Sequence, residues 1–529
     1  MRDAGAGARS AAGGHNPWLI ACIVSIATFM QVLDTSIANV SLRHIAGGLG
    51  SSYSQATRIV TSYLVASAAI LPVSGWLATV MGRKTFYMTS VALFSLSSLA
   101  CGLAPNLGWL ILFRVLQGLG GGGLAPSEQS ILADTFPPET RGQAFALYGV
   151  TVVVAPTIGP SLGGYITETL SWHWIFLINV PVGLLSLALT GSFVAEPAAN
   201  RKERDKLLRG GLRIDAVGFA LIALALGGFE VVIDRGQESG WFGSPLIAAL
   251  AIVAALSLIA FVPWELTREQ PIVDLRIFAN RQFALCMLAV LATGTLIFAS
   301  IQIVPQLLQT VLQYSATQAG LAMTPGGLAA LVELPVTAIV MRYVQPRWIV
   351  GFGMAMEAVA MWAMTDISAD MSMTHVAWLR VLQSFGLAFL FVPITTAAYG
   401  GLKPEQTNEA SALLNVARNL GGSFGIAGAQ AVFAIRSLTH AAALDARVDP
   451  ESAPVQHLDR LASHLPGAVS DGPAALSRPA IALLMQGLEK QAQILAYIDV
   501  FRLLAVVALI GVPVALLLRR VPLGGAGAG

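Results

Sequence analysis

Seven ionisable side chains interrupt long apolar stretches of this sequence: Asp34, Arg114, Glu128, Glu333, Glu357, Arg380 and Arg418. A charge facing lipid costs at least ~2.5–3.5 kcal/mol on insertion scales, so such groups face a partner or a cavity. Four carboxylates against three guanidiniums leave at least one carboxylate without a fixed partner, and a carboxylate of that kind can bind and release a proton. Asp34 and Arg114 are expected to face each other across a central cavity, where burial and the guanidinium act in opposite senses on the carboxyl's proton affinity; a permanent ion pair is the alternative. Glu333 and Glu357 are expected to tune cation preference or add a proton site, or else to satisfy a neighbouring hydroxyl or Arg418. Glu128 lies 14 residues after Arg114 (128 − 114 = 14), roughly four helical turns, and so shares its face.

The tetrapeptide Arg-Val-Leu-Gln occurs at 114–117 and again at 380–383, 266 residues later (380 − 114 = 266). Trp109 and Trp378 precede the two copies, and Pro126 and Pro393 follow them. A chain that places a charge in lipid twice, in matching surroundings, reads as two related halves of a transport machine. Gln117 and Gln383 sit one turn from their arginines; with Asn39 and Arg380 they are expected to line a substrate cavity.

The elements that hold these residues must be membrane helices. The chain has 529 residues, 55% hydrophobic and 11% charged, against about 25% charged in soluble domains. A net charge of +2 with no basic aromatic patch argues against nucleic acid. Cys22, Cys101 and Cys286 lie in apolar runs without metal spacing and read as small core residues. No His pair sits mid-helix, no P-loop supports ATP drive, and no HExxH, GxSxG or cysteine cluster suggests an enzyme.

Apolar runs near the ~20 residues that cross a bilayer fall at 17–40, 57–80, 85–104, 108–133, 142–167, 174–195, 214–234, 243–264, 282–311, 317–342, 347–366, 374–400, 408–435 and 493–518. These make an all-α membrane protein of fourteen helices. The 266-residue offset spans about eight helix-plus-loop units, where directly joined six-helix halves would repeat after about six. The surplus fits two pseudo-symmetric six-helix bundles, 1–200 and 281–529, with a linker and a two-helix hairpin inserted at 201–280. The charged segment 196–213 reads as part of that linker. Lys and Arg concentrate in the even-to-odd connections and at both ends (Arg2, Arg9, Arg519, Arg520), which puts both termini in the cytoplasm and loop 436–490 outside.

Three local patterns carry a family resemblance. The loop Gly75-Trp76-Leu77-Ala78-Thr79-Val80-Met81-Gly82-Arg83-Lys84 resembles the signature loop of the major facilitator superfamily, with Thr79 in place of its Asp. Gly159-Pro160-Ser161-Leu162-Gly163-Gly164 looks like the antiporter motif of drug:proton exporters. Leu33-Asp34-Thr35-Ser36-Ile37-Ala38-Asn39-Val40 and Trp172-His173-Trp174-Ile175-Phe176-Leu177-Ile178-Asn179-Val180-Pro181 resemble motifs of the fourteen-helix drug:proton antiporters, the EmrB/QacA-type permeases. The resemblance covers nearly the whole chain. It implies efflux of hydrophobic or amphipathic small molecules by alternating access in a bacterial inner membrane, driven by the proton gradient with no cofactor. It also implies a periplasmic adaptor and an outer-membrane channel as partners in double-membraned cells. An exporter dedicated to one metabolite, lipid or siderophore-like compound is the alternative, with a receptor that moves nothing behind it.

Overall fold

A computed structural model describes residues 16–196, 201, 204, 215–236, 239–268, 271–368, 370–400, 402–403, 406–449, 452–462 and 477–519. Most of the expected linker, and the terminal residues Arg2, Arg9 and Arg520, lie outside them. Every regular element among the described residues is helical. The first group is α1 (Pro17–Gly48), α2 (Tyr53–Ile70), α3 (Ser74–Met81), α4 (Arg83–Gly102), α5 (Leu107–Gly121), α6 (Leu124–Thr135), α7 (Pro138–Thr169), α8 (Trp174–Leu177) and α9 (Asn179–Phe193). Then come α10 (Ala216–Gly236) and α11 (Pro245–Thr267). The last group is α12 (Arg281–Thr310), α13 (Ala316–Val340), α14 (Pro346–Ala363), α15 (Met373–Ala398), α16 (Thr407–Asp445), α17 (Ala453–Ala462) and α18 (Arg478–Leu516).

Local chemistry sets the boundaries. The Asn16 side chain accepts from the Trp18 N–H ahead of Pro17 at the start of α1, and Ser52 with Gln55 and Ser315 with Gln318 form capping boxes on α2 and α13. Three expected spans are interrupted. α2 and α3 meet at 60° across Leu71-Pro72-Val73, where proline has no N–H to continue the helix. α5 gives way to α6 at Gly122-Gly123, and α8 to α9 at Ile178, where Pro181 offers no N–H to the Leu177 carbonyl.

Among the described residues ten helices are long and apolar enough to cross a membrane, or twelve if each bent pair is one span. Each of the fourteen expected segments falls on helix, three of them on two helices in succession. α14, with Arg347 and Glu357, and α16, with Glu409, Asn415 and Arg418, are outside that set of apolar spans. α11 is the most outward-facing, with 22% of its apolar window buried; Leu246, Ile252, Leu256 and Ile259 are exposed on it, as lipid contact requires. α16 and α18 run well beyond the expected spans 408–435 and 493–518, so both ends of segment 436–490 are helical and α17 lies between them. There Asp459 accepts from Ser477 N at 2.8 Å and Oγ at 2.7 Å. These bonds hold its carboxyl below the usual carboxylate range. The link is made above that range and is lost as pH falls through the lowered value.

The helices α1–α9 pack among themselves, as do α12–α18, and the two sets meet where α7 lies on α13 and α15 and where α3 and α6 lie on α16. α10 packs on α11 and bridges both sets through α2 and α16. Its Asp234 accepts from Thr61 of α2, its Glu230 accepts from Ser423 of α16 at 2.9 Å, and Phe229 meets Phe424 edge-on at 5.0 Å.

Candidate functional site

Among the described residues Arg114 is the largest fully buried side chain. Its Nη1 donates to Asp34 Oδ2 at 2.7 Å, and the two side chains are 0% and 1% exposed. The same nitrogen donates to Gln117 Oε1 at 2.7 Å, and Nε reaches the Ile59 carbonyl at 3.3 Å. The guanidinium lies 4.3 Å from the Tyr63 ring centroid. Asp34 Oδ1 accepts from Asn179 Nδ2 at 2.6 Å and Gln117 Nε2 at 3.2 Å. Ser98 accepts from Gln117 at 3.1 Å and from Asn179 at 3.0 Å, and donates to the Phe176 carbonyl at 2.9 Å. Thus α1, α2, α4, α5, α8 and α9 all enter one closed network. The expectation of two groups facing across a cavity is corrected: Asp34 and Arg114 touch, and a charge pair this deep is tolerable because hydrogen bonds satisfy it from several sides. Asn39, five residues along α1 from Asp34, is exposed and takes no part in the network.

The second Arg-Val-Leu-Gln copy is wired similarly. Arg380 donates to Gln383 Oε1, and Gln383 Nε2 donates to Glu357 Oε1 at 3.0 Å. Arg380 also lines a small recess with Ser300, Gly326, Ser384 and, from α7, Val153. Glu333 is half-buried on α13 and accepts from Ser384 Oγ at 2.7 Å. Arg418 pairs with neither glutamate; it donates to Tyr148 Oη at 2.9 Å and Asn415 Oδ1 at 3.1 Å and lies 4.6 Å from the Phe391 ring centroid. Glu128 is fully buried and accepts from Ser25 at 2.6 Å, in contact with α1 rather than with the Arg114 network.

The signature loop is anchored at every charged position. Gly82 has φ +89°, a left-handed value that favours glycine, and a Cβ there would come 3.2 Å from Glu196. Glu196 caps α4, accepting from Arg83 N and Lys84 N at 3.0 Å each. The Arg83 guanidinium pairs with Asp134, and Lys84 Nζ donates to the Gly191 carbonyl at 2.8 Å. Replacing Glu196 by Ala is expected to lower stability by about 1–2 kcal/mol, the scale of a lost N-terminal cap aided by the helix dipole; thermal unfolding in detergent measures it. Gly75 lies against the start of α16: a Cβ would stand 3.0 Å from the Asn408 carbonyl oxygen. Thr79 accepts from Asn408 Nδ2 at 3.0 Å, a neutral hydrogen bond that joins the two helix sets.

The glycine-rich motif is a seam between α7 and α1. Gly159 and Gly163 face Ser36 and Ile37, while Gly164 has open space. Pro160 has no N–H for the Pro156 carbonyl, and Ser36 Oγ donates to that oxygen at 3.2 Å instead. α7 bends by 43° between Pro156 and Ile158.

Tyr63, Ser98, Asp134 and Glu196 escaped the sequence reading. A lone serine or tyrosine in an apolar helix carries no spacing signal, and Asp134 and Glu196 meet their partners across 51 and 113 residues (134 − 83 = 51; 196 − 83 = 113). Asn179 stood inside a quoted motif, and a polar amide among apolar neighbours was the available sign of a buried partner.

Residues 24–426 match the family model of the Major Facilitator Superfamily. The chain is 40% identical over 428 residues to the multidrug export protein EmrB of Escherichia coli K12, covering 81% of this chain and 82% of that one. It is 36% identical over 452 residues to the fatty acid resistance protein FarB of Neisseria gonorrhoeae, covering 85% and 87%. The solved structure of the proton:xylose symporter XylE superposes with TM-score 0.53 at 14% identity, covering 91% of this chain and 94% of that one, a likeness of fold.

Proposed function

We propose, for a chain that belongs to the Major Facilitator Superfamily, export of hydrophobic and amphipathic small molecules in exchange for protons. The observation that carries this reading is the buried Asp34–Arg114 pair in a chain 40% identical to a multidrug export protein. The pair joins α1 to α5 inside the N-terminal helix set. A proton arriving on Asp34 from outside cancels its charge, loosens the hold of Arg114, and changes the balance of the network that Gln117 and Asn179 complete. Release of the proton inside restores the ion pair. Substrate moves the opposite way, between the two helix sets. Arg380, in a recess it shares with Ser300, Ser384 and apolar side chains, and the name of the fatty-acid resistance relative support including amphipathic acids among the substrates.

The architecture we propose has fourteen spans, two six-helix bundles with α10 and α11 inserted between them, and both termini in the cytoplasm of a bacterial inner membrane. Support comes from the coincidence of each apolar segment with a helix and from the Lys/Arg distribution. The partners are the exported molecule, protons and lipid, with a periplasmic adaptor and outer-membrane channel in cells with two membranes.

The test is Asp34→Asn in proteoliposomes. Uphill movement of a fluorescent lipophilic dye under an imposed proton gradient is expected to fall at least tenfold, while exchange of labelled for unlabelled dye without a gradient persists. Undiminished uphill transport in the variant overturns the role of Asp34.

A further inference from the structure

We infer that Glu357 is a second proton-binding site, seated in the C-terminal helix set and linked to Arg380 through Gln383. This rests on the antiport reading above, and it follows from a comparison of the two Arg-Val-Leu-Gln copies. Each arginine donates to the glutamine three residues on, and each glutamine passes its amide N–H to an acid: Gln117 to Asp34, Gln383 to Glu357. Beyond this shared relay the copies differ. Asp34 receives three donors, Arg114, Gln117 and Asn179. Glu357, 0% exposed, receives Gln383 alone, on Oε1. Its Oε2 is buried without a hydrogen-bond partner, whereas both Asp34 oxygens are bonded; each arginine keeps one such nitrogen, Nη2 of Arg114 and Nε of Arg380.

The difference has a positional cause. The repeat offset carries Asp34 to Ser300 (34 + 266 = 300), a wholly buried serine that lines the recess beside Arg380. The second copy therefore has a hydroxyl where the first has its acid, and its acid comes from α14, one glutamine further from the guanidinium. α14 packs on α15 and α18. Among the described residues the groups acting on Glu357 are Gln383 and Arg380 of α15, and α18 brings no ionisable group to it. Gly386 keeps space at the unpartnered oxygen: a Cβ there would come 2.8 Å from Oε2.

The step is a simple proton transfer. Glu357 holds its proton on Oε2 as a neutral acid. Losing it to a water molecule that reaches Oε2 gives hydronium and a carboxylate, and the Gln383 amide, polarised by Arg380, stabilises that charge. Uptake is the reverse, from the other side of the membrane. Asp34, whose two oxygens both accept hydrogen bonds, must give one up before it can take a proton; Glu357 need only gain or lose one, because its second oxygen is uncommitted.

The test is infrared difference spectroscopy of the full chain in lipid nanodiscs, titrated from acid to alkaline pH, following the carboxylic-acid C=O band. A band lost in Glu357→Gln, retained in Asp34→Asn, and returned at a shifted frequency in Glu357→Asp is the expected result. Gln383→Leu serves as a second variant that leaves the carboxyl in place; it is expected to shift the midpoint of that band. Superimposable titrations for the wild type, Glu357→Gln and Gln383→Leu overturn the inference. The antiport reading fails separately, by absence of gradient-driven dye flux in the wild type, whatever the spectra show.

Discussion

Replacing Arg114 by methionine is expected to destabilise the protein by about 3–5 kcal/mol, the cost of leaving a buried charge without its partner. Asp34 has 1% side-chain exposure, so water cannot take over the solvation that the guanidinium supplies. Gln117 and Asn179 remain, but two amide donors do not replace a cation at 2.7 Å. The double variant Asp34→Asn/Arg114→Met removes both charges and keeps an acceptor for Asn179, so its deficit is expected to shrink to below about 2 kcal/mol, since a buried pair replaced as a unit is near neutral in many proteins. Gradient-driven transport stays absent in both. Thermal unfolding of the detergent-solubilised single and double variants gives the coupling energy. Equal loss in the single and double variants would show that packing around Arg114, including its stacking on Tyr63, matters more than its charge.

The other large effect is steric. Gly421 and Gly425 lie one turn apart on α16 and press against the backbone of α12. A Cβ on Gly421 would land on the Leu291 carbonyl, 2.9 Å from its carbon; one on Gly425 would come 2.8 Å from the Thr295 Cα. Thr295 Oγ1 donates to the Gly421 carbonyl at 2.9 Å, so the seam is both close and hydrogen-bonded. Small residues spaced by four let membrane helices approach to backbone contact, where dispersion and such bonds replace the missing hydrophobic drive. Gly421→Leu has no flexible side chain to push aside and must separate the helices. A loss of about 3 kcal/mol or more is expected, at the upper end of overpacking costs, together with loss of assembled protein in the membrane. Gly428→Ala, where a Cβ meets nothing within 4 Å, is the control and is expected to be neutral or slightly stabilising. Size-exclusion profiles and unfolding temperatures of the two variants decide the matter.

The two arginine copies had the same four letters and the same apolar flanks, yet they differ in what they can do. The Arg114 copy is closed by three donors on Asp34. The Arg380 copy opens on a recess shared with Val153 of α7, and its acid stands one glutamine away. The two copies thus share the arginine–glutamine unit and take their carboxylates from helices that do not correspond under the repeat offset.

What sequence alone determined is local and one-dimensional. Length and apolarity of a segment settle whether lipid or water is its solvent, because an unpaired backbone group in hydrocarbon forces a helix; hence the membrane class and the helical form of the apolar segments. Gly82 could be read as special from its motif, and Asp34 and Arg114 from the cost of charge in lipid. What the tertiary structure decided is who touches whom. Asp34 meets Arg114 across 80 residues, Arg83 finds Asp134, Glu196 caps a helix 113 residues before it, and Asn39, five positions from Asp34, turns away. Hydrogen bonds and ion pairs act over about 3 Å, while helical periodicity says only which side of a rod a residue occupies. The rotation and neighbours of each rod are set by the packing of all of them together.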